Sequence, residues 1–164
     1  MKKIRFTILA LLFCIAAIAQ YDTTAPYLKS KAVPTFKLLA LDSVVFTQTI
    51  LDNDKATIIM LFNPGCDHCQ QQLKLLLSMP EIAATTNLIL TSTEPLKKLQ
   101  DFYTKFDLQK YPWIHIGKDY TYYLGGYYRA KTIPVLAFYN KQKQLTFFKQ
   151  GNVQKNEISE AFKK

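Results

Sequence analysis

The sequence predicts an α/β fold: a single domain built on a mixed β-sheet with helices packed against it. Three observations carry this. An apolar, β-branched run from Thr57 to Phe62 is followed by a turn, a helical pattern and a second apolar run from Asn87 to Thr91. A strand–helix–strand succession of this length makes a parallel pair. Near the C-terminus, Val135 to Tyr139 and Leu145 to Lys149 are separated by the turn-forming stretch 140–144, which makes an antiparallel hairpin and so a mixed sheet. The chain shows no repeat, low-complexity tract or linker, and its length suits one core.

The first residues read as a targeting segment. Lys2, Lys3 and Arg5 form a basic start, Phe6 to Ile18 is an apolar stretch of signal-peptide length, and Ala17-Ile18-Ala19 supplies small residues for cleavage before Gln20. The apolar run is shorter than the ~20 residues of a membrane-spanning helix. Residues 1–19 are therefore expected to be a signal peptide and 20–164 the domain, with an uncleaved anchor as the alternative. Cys14 follows the bulky Phe13, where a lipid-attachment site wants a small residue, so it belongs to the discarded segment. Export implies a periplasmic location. Cleavage removes three basic residues, lowering the net charge from +9 to +6 and leaving two cysteines, Cys66 and Cys69. The remaining Lys and Arg are scattered, which reads as a solvated surface and excludes a nucleic-acid stripe.

Taken in order, Tyr21 to Lys31 is an irregular lead-in. Pro34 to Leu41 and Val44 to Thr47, joined by Asp42-Ser43, form a small hairpin ahead of the central strand. After that strand, Asn63-Pro64-Gly65 is turn chemistry, and Cys66-Asp67-His68-Cys69 opens a helix closed by Pro80. Thr93 is the expected N-cap of the next helix, with Pro95 early and Leu96, Leu99, Phe102, Tyr103 and Phe106 as its apolar face. Trp113 to Ile116 is a short strand, with Trp113 and His115 projecting one way and Ile114 and Ile116 the other. His115 reads as a packed histidine. The tyrosine-rich stretch 120–128 packs rings on the core or forms a rim for docking a partner, and Gly125-Gly126 is expected to break its helix. Ile133-Pro134 leads into the C-terminal hairpin, and Val153 to Phe162 is a terminal helix.

The chemistry is concentrated in the Cys66–Cys69 pair. Cys66, Cys69, Leu73 and Leu76 share one helix face, at a strand-to-helix junction where two thiols one turn apart can close and reopen a disulfide. A free cysteine titrates near ~8.5, and the thiolate is the reactive form. Unsatisfied N–H groups at a helix start stabilise an anion, and Cys66 gains most from this. Protonated His68 adds to that stabilisation and Asp67 opposes it. A structural staple is the lesser reading, because closing so short a loop constrains the unfolded chain by only about 2 kcal/mol in the entropy model. A closed zinc site wants four ligands, and the chain offers one CxxC, His68 and His115. No metal and no cofactor beyond the redox-active disulfide are expected.

These residues resemble the thioredoxin-like superfamily and, within it, exported redoxin-domain thiol–disulfide oxidoreductases of the TlpA/ResA type. The resemblance runs over nearly all of 20–164. Pro34-x-Phe36 with the Asp42-Ser43 hairpin looks like the group's N-terminal β-hairpin extension. Ile58 to Cys69 looks like its central strand and active site, and Thr132-Ile133-Pro134 like its cis-proline loop. The resemblance implies a thioredoxin-like fold with helices on both faces of a central mixed sheet. It implies Cys66 attacking and Cys69 resolving, with Pro64, Gly65, Asp67 and His68 supporting and Ile133 and Pro134 shaping the docking surface. The expected partners are protein thiols and disulfides, with a membrane electron donor or acceptor upstream, and the chain is expected to be a monomer. Gly65 stands where the family has Trp, and Met60 and Gln72 stand where relatives carry a buried acid, leaving His68 or water to take the Cys69 proton. Asn63 and Ile59 disfavour a peroxiredoxin. Two other classes stay open: a Cu(I) carrier holding the ion on Cys66 and Cys69, since soft thiolates suit it, and a non-catalytic partner-binding module.

Overall fold

The structure is a computed structural model and describes residues 25–163. The expected signal segment, residues 1–19, and Cys14 lie outside the described residues. Thirteen regular elements suffice to describe the fold here. They are α1 (Pro26–Ser30), β1 (Lys37–Leu39), β2 (Val45–Thr47), β3 (Ala56–Leu61), α2 (Asp67–Leu77), α3 (Pro80–Thr85) and β4 (Thr86–Ser92). They continue with α4 (Leu96–Lys105), β5 (Ile114–Lys118), α5 (Tyr123–Tyr127), β6 (Val135–Tyr139), β7 (Leu145–Gln150) and α6 (Lys155–Ala161).

The strands form one seven-stranded sheet in the order β2-β1-β5-β4-β3-β6-β7. β3, β4 and β5 are parallel, while β6 and β7 add antiparallel on one side and the β1–β2 hairpin on the other. β3 is central and buried along its whole length, so strand alternation sends its apolar side chains to two separate cores. Ile58 and Met60, with Leu88, Leu90, Leu136 and Phe138, pack under α2, α3, α4 and α6. Ile59 and Leu61, with Ile89, Val135, Ala137 and Tyr139, pack against Phe36, Leu38 and the α5 side chains Leu124 and Tyr127. Helices therefore cover both faces of a mixed sheet. Among the described residues no helix is long and apolar enough to cross a membrane.

Several local expectations are corrected. The lead-in contains α1, started by Pro26 and held by Tyr27 stacked on Phe148 at 4.2 Å. The strand expected from Pro34 is regular only over Lys37–Leu39. Pro80 does not merely end a helix: α2 stops at Leu77 and Pro80 opens α3, where its missing N–H costs nothing. Thr93 is not the cap of α4. Pro95 occupies that position, and the nearby side-chain bond is Ser92 Oγ accepting the Glu94 N–H at 3.3 Å. Trp113 precedes β5 and so escapes its alternation, packing in the same core as Ile114 and Ile116 while His115 faces the other way. Gly125 and Gly126 lie inside α5. Asp119 holds that helix start by accepting the Tyr123 and Leu124 N–H groups at 3.1 and 2.8 Å. The terminal helix is shorter than expected, starting behind a Gln154–Glu157 capping box.

Candidate redox site

The site begins where β3 ends. The Phe62 N–H still reaches the Thr91 carbonyl at 3.0 Å, and the chain then folds over Asn63. The Asn63 side-chain oxygen accepts the Gly65 N–H at 2.8 Å, and its carbonyl accepts the Cys66 N–H at 3.0 Å. This is the local turn that an asparagine two residues before its donor can close by itself. Asn63 Nδ2 also donates to Glu94 Oε1 at 2.7 Å, tying the turn to the segment after β4. Lys98 donates to the other Glu94 oxygen at 2.7 Å and holds that carboxyl below the usual range. Gln70 Nε2 donates back to the Pro64 carbonyl at 2.8 Å. Asn63 and Glu94 are site residues that sequence reasoning missed. The Asn-Pro-Gly turn signal marked the first, whereas nothing local marks the second, 31 residues away.

Cys66 is the N-cap of α2, and its Sγ accepts the Cys69 N–H at 3.3 Å. An N-cap acceptor is the position where a helix start best stabilises a sulfur anion. Both thiols are free; Cys66 is partly exposed and Cys69 fully buried. Burial pushes the Cys69 thiol up to about 12, with the hydrogen bond to Cys66 and the Cys66 charge adding to the rise and backbone hydrogen bonds opposing it. Cys66 is thus the more accessible sulfur, and burial keeps the Cys69 thiol protonated at neutral pH.

Asp67, His68 and Gly65 are exposed at the helix start, and Pro64 is partly buried. The Ile133–Pro134 peptide is cis, and the Pro134 carbonyl accepts the Gly151 N–H at 2.7 Å. His68, Thr132, Ile133, Gly151 and Asn152 line a groove of about 330 Å³. His68 and Ile133, 65 apart in sequence, line this same groove, and Ile133 and Cys66 both pack against the core under α2. A second groove, about 290 Å³, runs along Asn63, Pro64 and Gly65 to Lys98 and Lys105. A Cβ on Gly65 would meet only Asn63 Oδ1, at 3.4 Å.

Met60 and Gln72, the positions where the resemblance led to an acid being sought, are both buried. Met60 is fully buried among apolar side chains, and Gln72 is buried with its carbonyl oxygen accepting the Val153 N–H at 2.7 Å. His115 is not with the cysteines: it lines a cavity beside the β1–β2 hairpin, and burial lowers its pKa. Among the described residues, no group of three or more His, Cys, Asp and Glu converges as a metal site. The tyrosine stretch does not line either groove beside Cys66; Tyr127 and Tyr128 are core residues.

No family model and no curated protein matches the sequence. Solved structures do match. A secreted disulfide oxidoreductase of Mycobacterium tuberculosis, homologous to E. coli DsbE, superposes with a TM-score of 0.63 at 17% identity, over 77% of this chain and 93% of that one. StoA from Bacillus subtilis gives 0.58 at 19% identity over 79% and 98%. The exposed lipoprotein thioredoxin Etrx1 of Streptococcus pneumoniae gives 0.60 at 18% identity over 79% and 98%. At such identities the likeness is one of architecture, and on it the fold of this chain is thioredoxin-like.

Proposed function

We propose that the chain is an exported thiol–disulfide oxidoreductase that exchanges a Cys66–Cys69 dithiol with the disulfides of partner proteins. The carrying observation is the asymmetry of the pair: a partly exposed Cys66 sulfur accepting a hydrogen bond at a helix start, and a buried Cys69 whose thiol burial pushes up to about 12. The Cys66 thiolate attacks one sulfur of the partner disulfide and expels the other as a thiolate, forming a mixed disulfide. Cys69 then gives up its proton and attacks Cys66 Sγ, releasing the second partner sulfur and closing the Cys66–Cys69 disulfide. Two electrons and two protons pass to the partner, and the reverse sequence oxidises a dithiol. Asn63 and Gln70 hold the turn, and the groove by Ile133 and Pro134 receives the partner backbone. The redox-active disulfide is the only cofactor in this reading, and a membrane electron donor or acceptor resets it. We place the potential between about −270 mV and about −120 mV, because helix-start stabilisation of the Cys66 thiolate favours the reduced form.

Reduced protein mixed with a disulfide substrate should lose both thiols. Cys66→Ala should be inert and Cys69→Ala should accumulate the mixed disulfide on a gel; a Cys66→Ala variant as active as wild type ends the mechanism. Export rests on the basic start and apolar run of residues 2–18 and on secreted and lipoprotein members among the structural neighbours. N-terminal sequencing of the exported protein should begin near Gln20; a chain still starting at Met1 in the membrane pellet would indicate an anchor.

A further inference from the structure

Two grooves border the chain on either side of Cys66. One contains His68; the other, about 290 Å³, contains Gly65, the residue directly before Cys66. The turn 63–65 is one wall of this second groove. The other wall is α4, whose Lys98, Asp101 and Lys105 line it beside the buried Phe102. Two of these three charges are already answered: Lys98 pairs with Glu94 at 2.7 Å, and Asp101 pairs with Lys97. Lys105 differs. Among the described residues no carboxylate pairs with its ammonium group. Its Nζ donates to Gln70 Oε1 at 2.9 Å and lies 5.6 Å from the centre of the Phe106 ring. Gln70 Nε2 in turn donates to the Pro64 carbonyl at 2.8 Å, so a lysine 35 residues from Gln70 in sequence is tied to the redox turn. An ammonium group carries three donors, and a neutral amide with a ring face leaves its charge uncompensated.

We infer that this groove takes the partner segment next to the reacting cysteine, and that Lys105 selects an acidic side chain, aspartate or glutamate, within three residues of it. The inference rests on the redox reading above and names a substrate class for it. Reach sets the register. The Cα atoms of Gly65 and Cys66 are about 3.8 Å apart, and Lys98 to Lys105 cover roughly 10 Å of α4. Three extended partner residues span the same roughly 10 Å. A carboxylate arriving there meets a cation for which no other carboxylate competes, while Asp101 is held by Lys97. An amide of the same shape gains no charge pairing, and an ammonium group meets like charge. Because Lys105 is exposed, the pairing is modest and is screened by salt.

The test uses short peptides whose single cysteine is disulfide-bonded to a chromogenic aryl thiol, with Asp, Asn or Lys at the first, second or third residue on either side. Cys66 attacks the peptide sulfur and expels the aryl thiolate, which is read by absorbance; Cys69 then attacks Cys66 Sγ and frees the peptide thiol. Each rate is divided by that of 2-mercaptoethanol with the same peptide, which removes the effect of the flank on intrinsic reactivity. At low salt, wild-type reduced protein should prefer the best Asp peptide over its Asn counterpart by about threefold, the scale of one exposed ion pair, and the preference should shrink in about 0.5 M salt. Lys105→Gln should abolish the preference, and Lys105→Glu should turn it towards the Lys peptide, a charge swap that loss of structure cannot imitate. Lys37→Glu makes the same charge change on β1, away from this groove, and should leave the preference intact. Equal wild-type rates for Asp and Asn, a preference that survives in Lys105→Glu, or one lost equally in Lys37→Glu overturns the subsite and leaves the redox reading standing. Release of aryl thiolate from none of the peptides overturns the redox reading itself.

Discussion

At the scale of single residues, the site depends on two thiols of unequal environment. Below the ordinary thiol range Cys69 is protonated in both the folded and the unfolded chain. Its folded pKa, near 12, lies above the unfolded value of about 8.5, so the folded state resists its ionisation. The sign follows: this contribution to stability is fully present below about pH 8.5 and is lost as the pH rises towards 12. Urea midpoints of the reduced protein should therefore fall between these limits, and fall less steeply in Cys69→Ala. In the proposed mechanism the same burial governs release of a partner. In the mixed disulfide Cys66 carries no charge, which removes one cause of the rise and leaves burial, so the resolving rate should increase with pH through the neutral range. A rate flat with pH in rapid-mixing measurements would mean that a group other than solvent hydroxide takes the proton. Asn63 shows how much of this environment was legible. Its turn role follows from Asn-Pro-Gly, but its bond to Glu94 comes from the fold alone.

Among the elements, α2 and α5 are positioned in different ways. α2 is set by its own amphipathic stripe: Cys69, Leu73 and Leu76 are fully buried in one core, as their spacing requires. α5 is too short to be stable on its own and is held from both ends. Asp119 caps its start, and Tyr128, immediately after it, is fully buried with its hydroxyl 2.6 Å from that of Tyr139 on β6. Burial raises the pKa of both phenols. Tyr139→Phe leaves the Tyr128 hydroxyl without this partner and should cost about 1–3 kcal/mol, whereas the double change to Phe should be much milder because no polar group is left unpaired. Chemical denaturation of the two single variants and the double variant measures this. Additive losses would show that the hydroxyl pair contributes nothing as a pair.

Across the whole molecule, the N-terminal hairpin is the most loosely joined part of the sheet. β1 pairs with β5 at a single register position, Leu39 with Lys118, and the contact relies on close packing at Gly117. A Cβ there would stand 2.7 Å from the Phe46 ring and 2.9 Å from the Leu38 Cβ. Gly117→Ala should destabilise the protein by about 1–3 kcal/mol through overpacking. Because β5 lies beyond β4 from the redox turn, the thiol chemistry of Cys66 should survive in the fraction that remains folded. Urea denaturation and Cys66 alkylation read the two separately. By itself the sequence determined the central strand, the turn, the buried face of Cys69, Leu73 and Leu76, and the C-terminal hairpin, because each is written in residues within a few positions of one another, whereas Cys66 stands outside that face as the N-cap of α2. Only the tertiary structure decided that Ile133 shares a groove with His68, that Glu94 braces the turn, and that Thr91 and Asp119 line one cavity. Those relations arise when the sheet brings distant strand ends together, and no local periodicity encodes them.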